Sequence, residues 1–264
     1  ARRRRLPLSR YPKEVVVNTR LTQAVRAAGG PIEQIGRDWM LHAETFARSE
    51  AHGYPHPFAG YFAGRGGVLG DVDWEVVDAV FAVFEPGVTK LFWEQGRAVH
   101  GAAEGARLYW EQAADWGRDH LTGAPGLDRI VELGERIIDA APAAGMPLFC
   151  AWRLMPRAPD APARALQVLF ILRELRGSIH LPALISAGIK PVEGHILNKG
   201  PEFAAFCGFQ EPFPDCAHLK ARKDEVEEIT DQRMAEIVET ALSPAEAEEL
   251  AELAAAALRV ASAI

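Results

Sequence analysis

ARALQVLFILRELRGSI, residues 163–179, is the stretch that decides the fold. It reads as a strongly apolar helix, without the sustained alternation that would mark a half-buried strand. Outward from it, Pro and Gly punctuate the chain into further segments of helical period. Val15 to Ala28 is amphipathic and stops at Gly29-Gly30-Pro31, and Ile32 to Ser49 starts a second helix burying Ile35, Trp39, Met40 and Phe46. His52 to Gly70, rich in Gly, Pro and aromatics, reads as a loop. Asp71 and Asp73 offer caps for a helix burying Val76, Val77, Val80, Phe81 and Phe84, which Pro86 ends. Pro86 to Leu121 is one long or broken helix, weakened by Gly96, Gly101 and Gly105, whose small residues allow close helix packing. Leu127 to Ala140 is another.

On the C-terminal side of the opening stretch, Leu184 to Ala187, Gly188 and Pro191 to Leu197 make a corner of the helix-turn-helix kind. A Pro- and Phe-rich segment, Pro201 to Pro214, follows it. The last helices run from about Leu219 to Leu242 and from Ser243 onward, where Ser243-Pro244-Ala245-Glu246 is a capping box with Pro in the first turn. The expected fold is therefore all-α, a multi-helix bundle of two packed helical halves. Its expected parts are a basic arm over residues 1–12, an N-terminal half over 13–145 and a C-terminal half over 146–264, with the seam in the Pro-rich stretch from Pro142 to Pro162.

Hydrophobic residues make up 48% and charged ones 25% of the 264, a globular balance that leaves room for a pocket. No uncharged apolar run approaches the roughly 18 residues of a spanning helix, and no apolar stretch follows the N-terminal charges, so a cytoplasmic protein without a membrane partner is expected. Cys150, Cys207 and Cys216 are too few for a disulfide framework and are expected as thiols. A net charge of −7 repels phosphate backbones, so nucleic acid is not an expected partner without a local basic patch. Arg2 to Arg5 with Arg10 form such a patch, read here as a solvated arm.

The sharpest constellation lies on the apolar helix itself. Arg173, Arg176 and His180 share one face by i, i+3, i+7 spacing, with Glu174 beside them. Burying two guanidinium groups beside an imidazole requires a carboxylate, either internal or brought by a ligand. Glu227 and Asp231, one turn apart on the penultimate helix, are the internal candidates. An interhelical ion-pair network and a ligand or active site both fit this pattern. The run Gly64 to Gly70 lacks Walker spacing and a preceding strand, so it reads as a connector between helices. His52 and His56 are read as loop histidines. Cys207, Cys216 and His218 lack zinc-site spacing, and no metal or cofactor is expected.

Three stretches together resemble a large bacterial family of SalK- or EvbL-like helix-turn-helix proteins. Tyr61 to Gly70 resembles its YFxxRxxxLG segment, Arg173 to Leu184 its RExRGxxHxxAL signature, and Glu227 to Asp231 its ExxTD motif. The resemblance implies DNA binding through a winged helix between the second and third motifs. That interval here holds Gly200 to His218, without a basic helix or a wing, and the remaining recognition-helix candidate offers only Lys190, His195, Asn198 and Lys199. Several relatives belong to secondary-metabolite gene sets, which points to biosynthesis.

The reading that follows is a cofactor-independent enzyme of specialised metabolism performing cyclisation, isomerisation or dehydration on a small organic substrate. His180 is its expected general acid or base, Arg173 and Arg176 its anion stabilisers, and Glu227 or Asp231 the group orienting the imidazole. Tyr61, Arg65, Glu174 and Asp231 are expected to bind substrate. The alternative is a non-catalytic ligand-binding or helix-turn-helix regulatory protein. The aromatic cluster Phe203, Phe206, Phe209 and Phe213 is read as packing on its own core in preference to forming a homodimer surface.

Overall fold

The computed structural model describes residues 18–263, so the arginine arm and the start of the first expected helix lie outside the described residues. The chain folds as α1 (Thr19–Met40), α2 (Ala43–Ala51), α3 (Pro57–Gly67), α4 (Trp74–Phe81), α5 (Pro86–Leu121) and α6 (Leu127–Ala140). Then come α7 (Pro147–Arg153), α8 (Ala161–Ser186), α9 (Pro191–Lys199), α10 (Pro201–Phe206), α11 (Lys220–Glu239) and α12 (Pro244–Ala261). No strand occurs among the described residues, and the fold is all-α. No helix among them is long and apolar enough to cross a membrane.

The opening stretch of the sequence analysis is the axis of this bundle. Every residue from Ala165 to Leu172 is buried, so α8 is enclosed on all sides there rather than along one stripe. It packs against α1, α5, α6, α7 and α11. The capping box forms at the head of α12, where Ser243 and Glu246 satisfy each other's backbone N–H groups. The segment from Pro86 to Leu121, expected as one long or broken helix, is α5, interrupted at Gly101 (φ 77°, ψ 170°).

Several segments depart from their local reading. Ile32 to Ser49, expected as one helix, is divided between α1 and α2 at Leu41-His42, where the His42 ring caps α2, and Val76 of α4, expected in the core, is exposed. α1 runs straight through Gly29-Gly30-Pro31, because its buried face continues across them through Ala28, Ile32, Ile35 and Trp39. A proline inside a helix costs about 3 kcal/mol, and burial along α8 and α12 outweighs that cost. The Gly-rich run expected as a connector is the body of α3. Its glycines are contacts: a Cβ on Gly67 would stand 2.2 Å from the carbonyl oxygen of Ala102, and one on Gly96 of α5 would stand 2.1 Å from that of Ala59. The two backbones touch, which only residues without a side chain permit.

One ion pair ties this helix pair to the axis. Arg65 of α3 bonds Glu174 of α8 through two parallel contacts, Nε to Oε1 at 3.1 Å and Nη2 to Oε2 at 2.9 Å. Arg65 also donates to the Tyr61 hydroxyl at 2.9 Å and lies over the Phe81 ring at 4.4 Å. Both charged residues are buried, at 6% and 2% exposure.

Gly67→Ala is expected to destabilise the fold by about 1–3 kcal/mol through overpacking. Gly177→Ala, in a helix with open space around its Cβ, should be neutral or stabilising by about 0.5–1 kcal/mol. Urea unfolding of the two variants measures the difference; equal stabilities would refute the α3–α5 backbone contact. Glu174→Gln strands the buried Arg65 charge and is expected to cost about 3–5 kcal/mol. Arg107→Ala, which breaks an exposed pair with Glu104, should leave the unfolding midpoint in place.

Candidate functional site

Between α1, α8, α11 and the α9–α10 corner lies a cavity of about 580 Å³. α8 contributes Arg173, Arg176, Gly177 and His180 to its wall, and α11 contributes Lys223, Glu227 and Asp231. The apolar part is formed by Ile137, Leu172, Met234, Val238 and Leu250. α1 supplies the clearance. A Cβ on Gly36 would stand 2.4 Å from Cδ of Arg173, and one on Gly29 would stand 3.4 Å from Nε of Arg176. The guanidinium stems lie where α1 has no side chains.

The polar groups of the wall are cross-linked. Arg176 donates to Glu227 at 2.8 Å and stands 3.5 Å from Asp231. Asp231 also accepts from Arg26 Nε at 2.8 Å, while Arg26 Nη2 reaches Glu228 at 2.7 Å. Lys223 bonds the other oxygen of Glu227. Burial opposes ionisation of Glu227, but the Lys223 and Arg176 hydrogen bonds and the nearby His180 hold its carboxyl down to about 2.

His180 is oriented by Thr230 rather than by the expected carboxylates. The Thr230 hydroxyl donates to the Val226 carbonyl at 2.7 Å, so it accepts from Nδ1 of His180 at 3.2 Å. That fixes the neutral tautomer with the proton on Nδ1. Glu227 stands 3.9 Å away. Burial, reinforced by Arg176 and Lys223 and opposed by Glu227, pushes the imidazole down to about 4.

Of the residues singled out from sequence, Tyr61, Arg65, Arg173, Arg176, His180, Glu227 and Asp231 all line the cavity. Glu174 stands behind the wall, where it answers Arg65 and accepts from Arg173 at 2.8 Å. Arg26, Glu33 and Arg37 of α1 also line the cavity and were missed. Their spacing of seven and then four residues is a helical face, but the expected break at Gly29-Gly30-Pro31 hides it. Lys199 and His195 were read as recognition-helix residues and are turned inward instead. His195 donates to the Val83 carbonyl at 2.5 Å, and Lys199 lies 4.5 Å from the Phe203 ring centroid and 3.7 Å from Glu33.

Groups with metal-binding chemistry are elsewhere. His42, Glu44 and His120 bring ligand atoms within 4.8 Å of one another, with His120 bonded to Glu44 at 3.1 Å and Glu44 about half exposed. His56 caps α3 by accepting from the Phe58 N–H. Cys207 lines the cavity, and burial pushes its thiol up to about 12, away from thiolate chemistry.

The depressed His180 sets a pH dependence. Between pH 6.5 and about 4 the unfolded chain takes up a proton that the folded chain refuses, so stability falls across that window and levels off below it. Glu227 contributes stability present above its ordinary value near 4.5 and lost as pH falls toward about 2. His180→Asn is expected to flatten the decline between pH 6.5 and 4 in chemical denaturation, while leaving the lower one. An unchanged slope in the upper window would show that His180 is not held neutral.

Compared with known proteins, residues 25–210 match the family model described as a helix-turn-helix family. No curated protein and no solved structure matches the chain. The family match points to a regulatory protein, and the expectation of a cofactor-independent enzyme is corrected accordingly. His180, expected as general acid or base, is held neutral by burial and is bonded through Nδ1 to Thr230. The matched span holds the Tyr61 to Gly70 segment and the Arg173 to Leu184 signature, joined in the structure by the Arg65–Glu174 pair. The chain belongs to the helix-turn-helix family.

Proposed function

We propose that this chain is a ligand-responsive regulatory protein of the helix-turn-helix family, in which a small organic molecule occupies the cavity and the α9–α10 corner transmits its presence. The observation that carries this reading is that the corner is itself a wall of the cavity: His195, Asn198, Lys199, Phe203 and Phe206 line it. A volume of about 580 Å³ falls within the range of roughly 300–1,000 Å³ typical of small-molecule sites. A mostly apolar lining with a few convergent charged groups is the composition such sites have.

The corner's chemistry favours a ligand over a phosphate backbone as its direct partner. Its Lys199 and His195 are engaged inward, while Glu193 caps the helix by accepting from the Lys190 backbone N–H and leaves the Lys190 side chain exposed. A helix that reads DNA presents its cations outward. The regulatory output therefore depends on how the corner is held, and a ligand that bridges it to α1 and α8 changes that holding energy.

The test uses N-phenyl-1-naphthylamine, an uncharged apolar fluorophore. It is expected to bind the full chain saturably at one site, to be recovered chemically unchanged, and to slow hydrogen exchange in residues 187–214. Gly177→Trp introduces an indole at a half-buried position of the cavity wall whose Cβ meets open space, so it should abolish the fluorescence gain while the protein stays folded. Non-saturable fluorescence, or equal binding by Gly177→Trp, would remove the cavity from the proposal.

A further inference from the structure

Resting on that reading, we infer that the cavity holds a dedicated site for one negative charge between Arg37, Arg173 and Lys199, so that its ligand is an apolar-bodied organic carboxylate. The three cations come from α1, α8 and α9, three elements with no sequence proximity. Each is about three-quarters buried, with side-chain exposures of 26%, 22% and 25%. All three line the cavity, and Arg37 and Lys199 also stand at its opening beside Leu41, Phe203 and Phe206.

The internal acids do not balance them. Glu174 is engaged by Arg65 through both oxygens and shares only one of these with Arg173. Glu33 stands 3.4 Å from Arg37 and 3.7 Å from Lys199, long contacts divided between two cations. Asp38 is 3.8 Å from Arg37. Arg37, Arg65, Arg173 and Lys199 are thus four positive charges facing Glu33, Asp38 and Glu174, one charge short of neutral. Nε of Arg173 is buried without a hydrogen-bond acceptor. An unanswered buried donor on a charged group is costly unless an anion completes it.

The field at Lys199 agrees with the geometry. Burial first, and then Arg37 and Arg173 against the opposing pull of Glu33, hold its amine below the ordinary lysine value. A deficit of a single charge selects a monoanion, because a phosphate dianion would be repelled by Glu33 and Glu174. The apolar wall of Ile137, Leu172, Met234 and Leu250 receives the uncharged body. Nε of Arg176 likewise has no acceptor, but Arg176, Lys223 and Arg26 face Glu227, Asp231 and Glu228 in equal number, so that side of the wall carries no uncompensated charge.

The experiment is calorimetric titration of the full chain with decanoate and 2-naphthoate, each beside its primary amide and its phosphate-headed analogue. The carboxylates are expected to bind about tenfold tighter than the amides and tighter than the phosphates. Arg173→Met and Lys199→Gln should each erase the preference for carboxylate over amide, read as the ratio of the two affinities within each variant, with far-UV circular dichroism confirming that each is folded. Equal affinity for acid and amide, or a preference that survives in both variants, overturns the anion site and leaves the cavity reading standing. Tighter binding of the phosphate analogue overturns the assignment of a carboxylate. If the neutral fluorophore and every titrant fail to bind, it is the ligand-binding reading itself that falls.

Discussion

The buried pair of Arg65 and Glu174 is the constraint on which the rest of the arrangement depends. A guanidinium and a carboxylate with exposures of 6% and 2% survive in an interior only when each answers the other. Such a pair adds little net stability, because desolvation consumes most of its attraction. Its effect is registry. A shift of α3 by one turn along α8 would leave both charges buried and unpaired, so the glycine-lined contact between α3 and α5 is locked to a single position on the bundle axis. The same carboxylate then accepts from Arg173, a residue of the cavity wall. Structure and site are joined through one residue that does not itself line the cavity.

Around that lock, the charged wall is arranged as linked pairs across helices rather than as a free catalytic triad. Arg176, Glu227, Asp231 and Arg26 connect α8 to α11 and α11 to α1. These contacts separate helices that an apolar interface would draw together, since charged side chains are longer than the aliphatic ones they replace and cannot be compressed without losing their partners. An ion-pair network and a ligand site are therefore not competing descriptions of these residues. The network is what keeps the space open.

Much of this was legible from local pattern. The enclosed helix over residues 163–179, the capping box at Ser243 and the shared face of Arg173, Arg176 and His180 are short-range signals, and the structure contains each of them. The errors at the glycine-rich segments share one cause. Gly29-Gly30-Pro31 and the run from Gly64 to Gly67 carry strong helix-breaking propensity, and both lie inside helices. Propensity weighs a residue against solvent, whereas these glycines are weighed against Arg173, Arg176 and the backbone of α5, partners distant in sequence. The false break in α1 then concealed the face bearing Arg26, Glu33 and Arg37. Burial likewise takes the His180 imidazole below the neutral range that the solvated group has, a shift no local pattern carries.

The position of the α9–α10 corner follows from the same balance between local and distant contacts. The start of α9 rests on a small hydrophobic cluster of Leu184, Ile189 and Val226 that is separate from the main core. Beyond α10, Cys207 belongs to the main core and Phe209 packs against it. Between these two anchorages α9 is bounded by Gly188 (φ 73°) and Gly200 (φ 87°), backbone conformations that glycine holds without strain. The helix packs on that first cluster through Gly194 and Leu197, and turns His195 and Lys199 toward the cavity. The corner is thus set by a satellite cluster distinct from the enclosed axis of the bundle, so its position is decided by a separate and smaller set of contacts than those that fix α8.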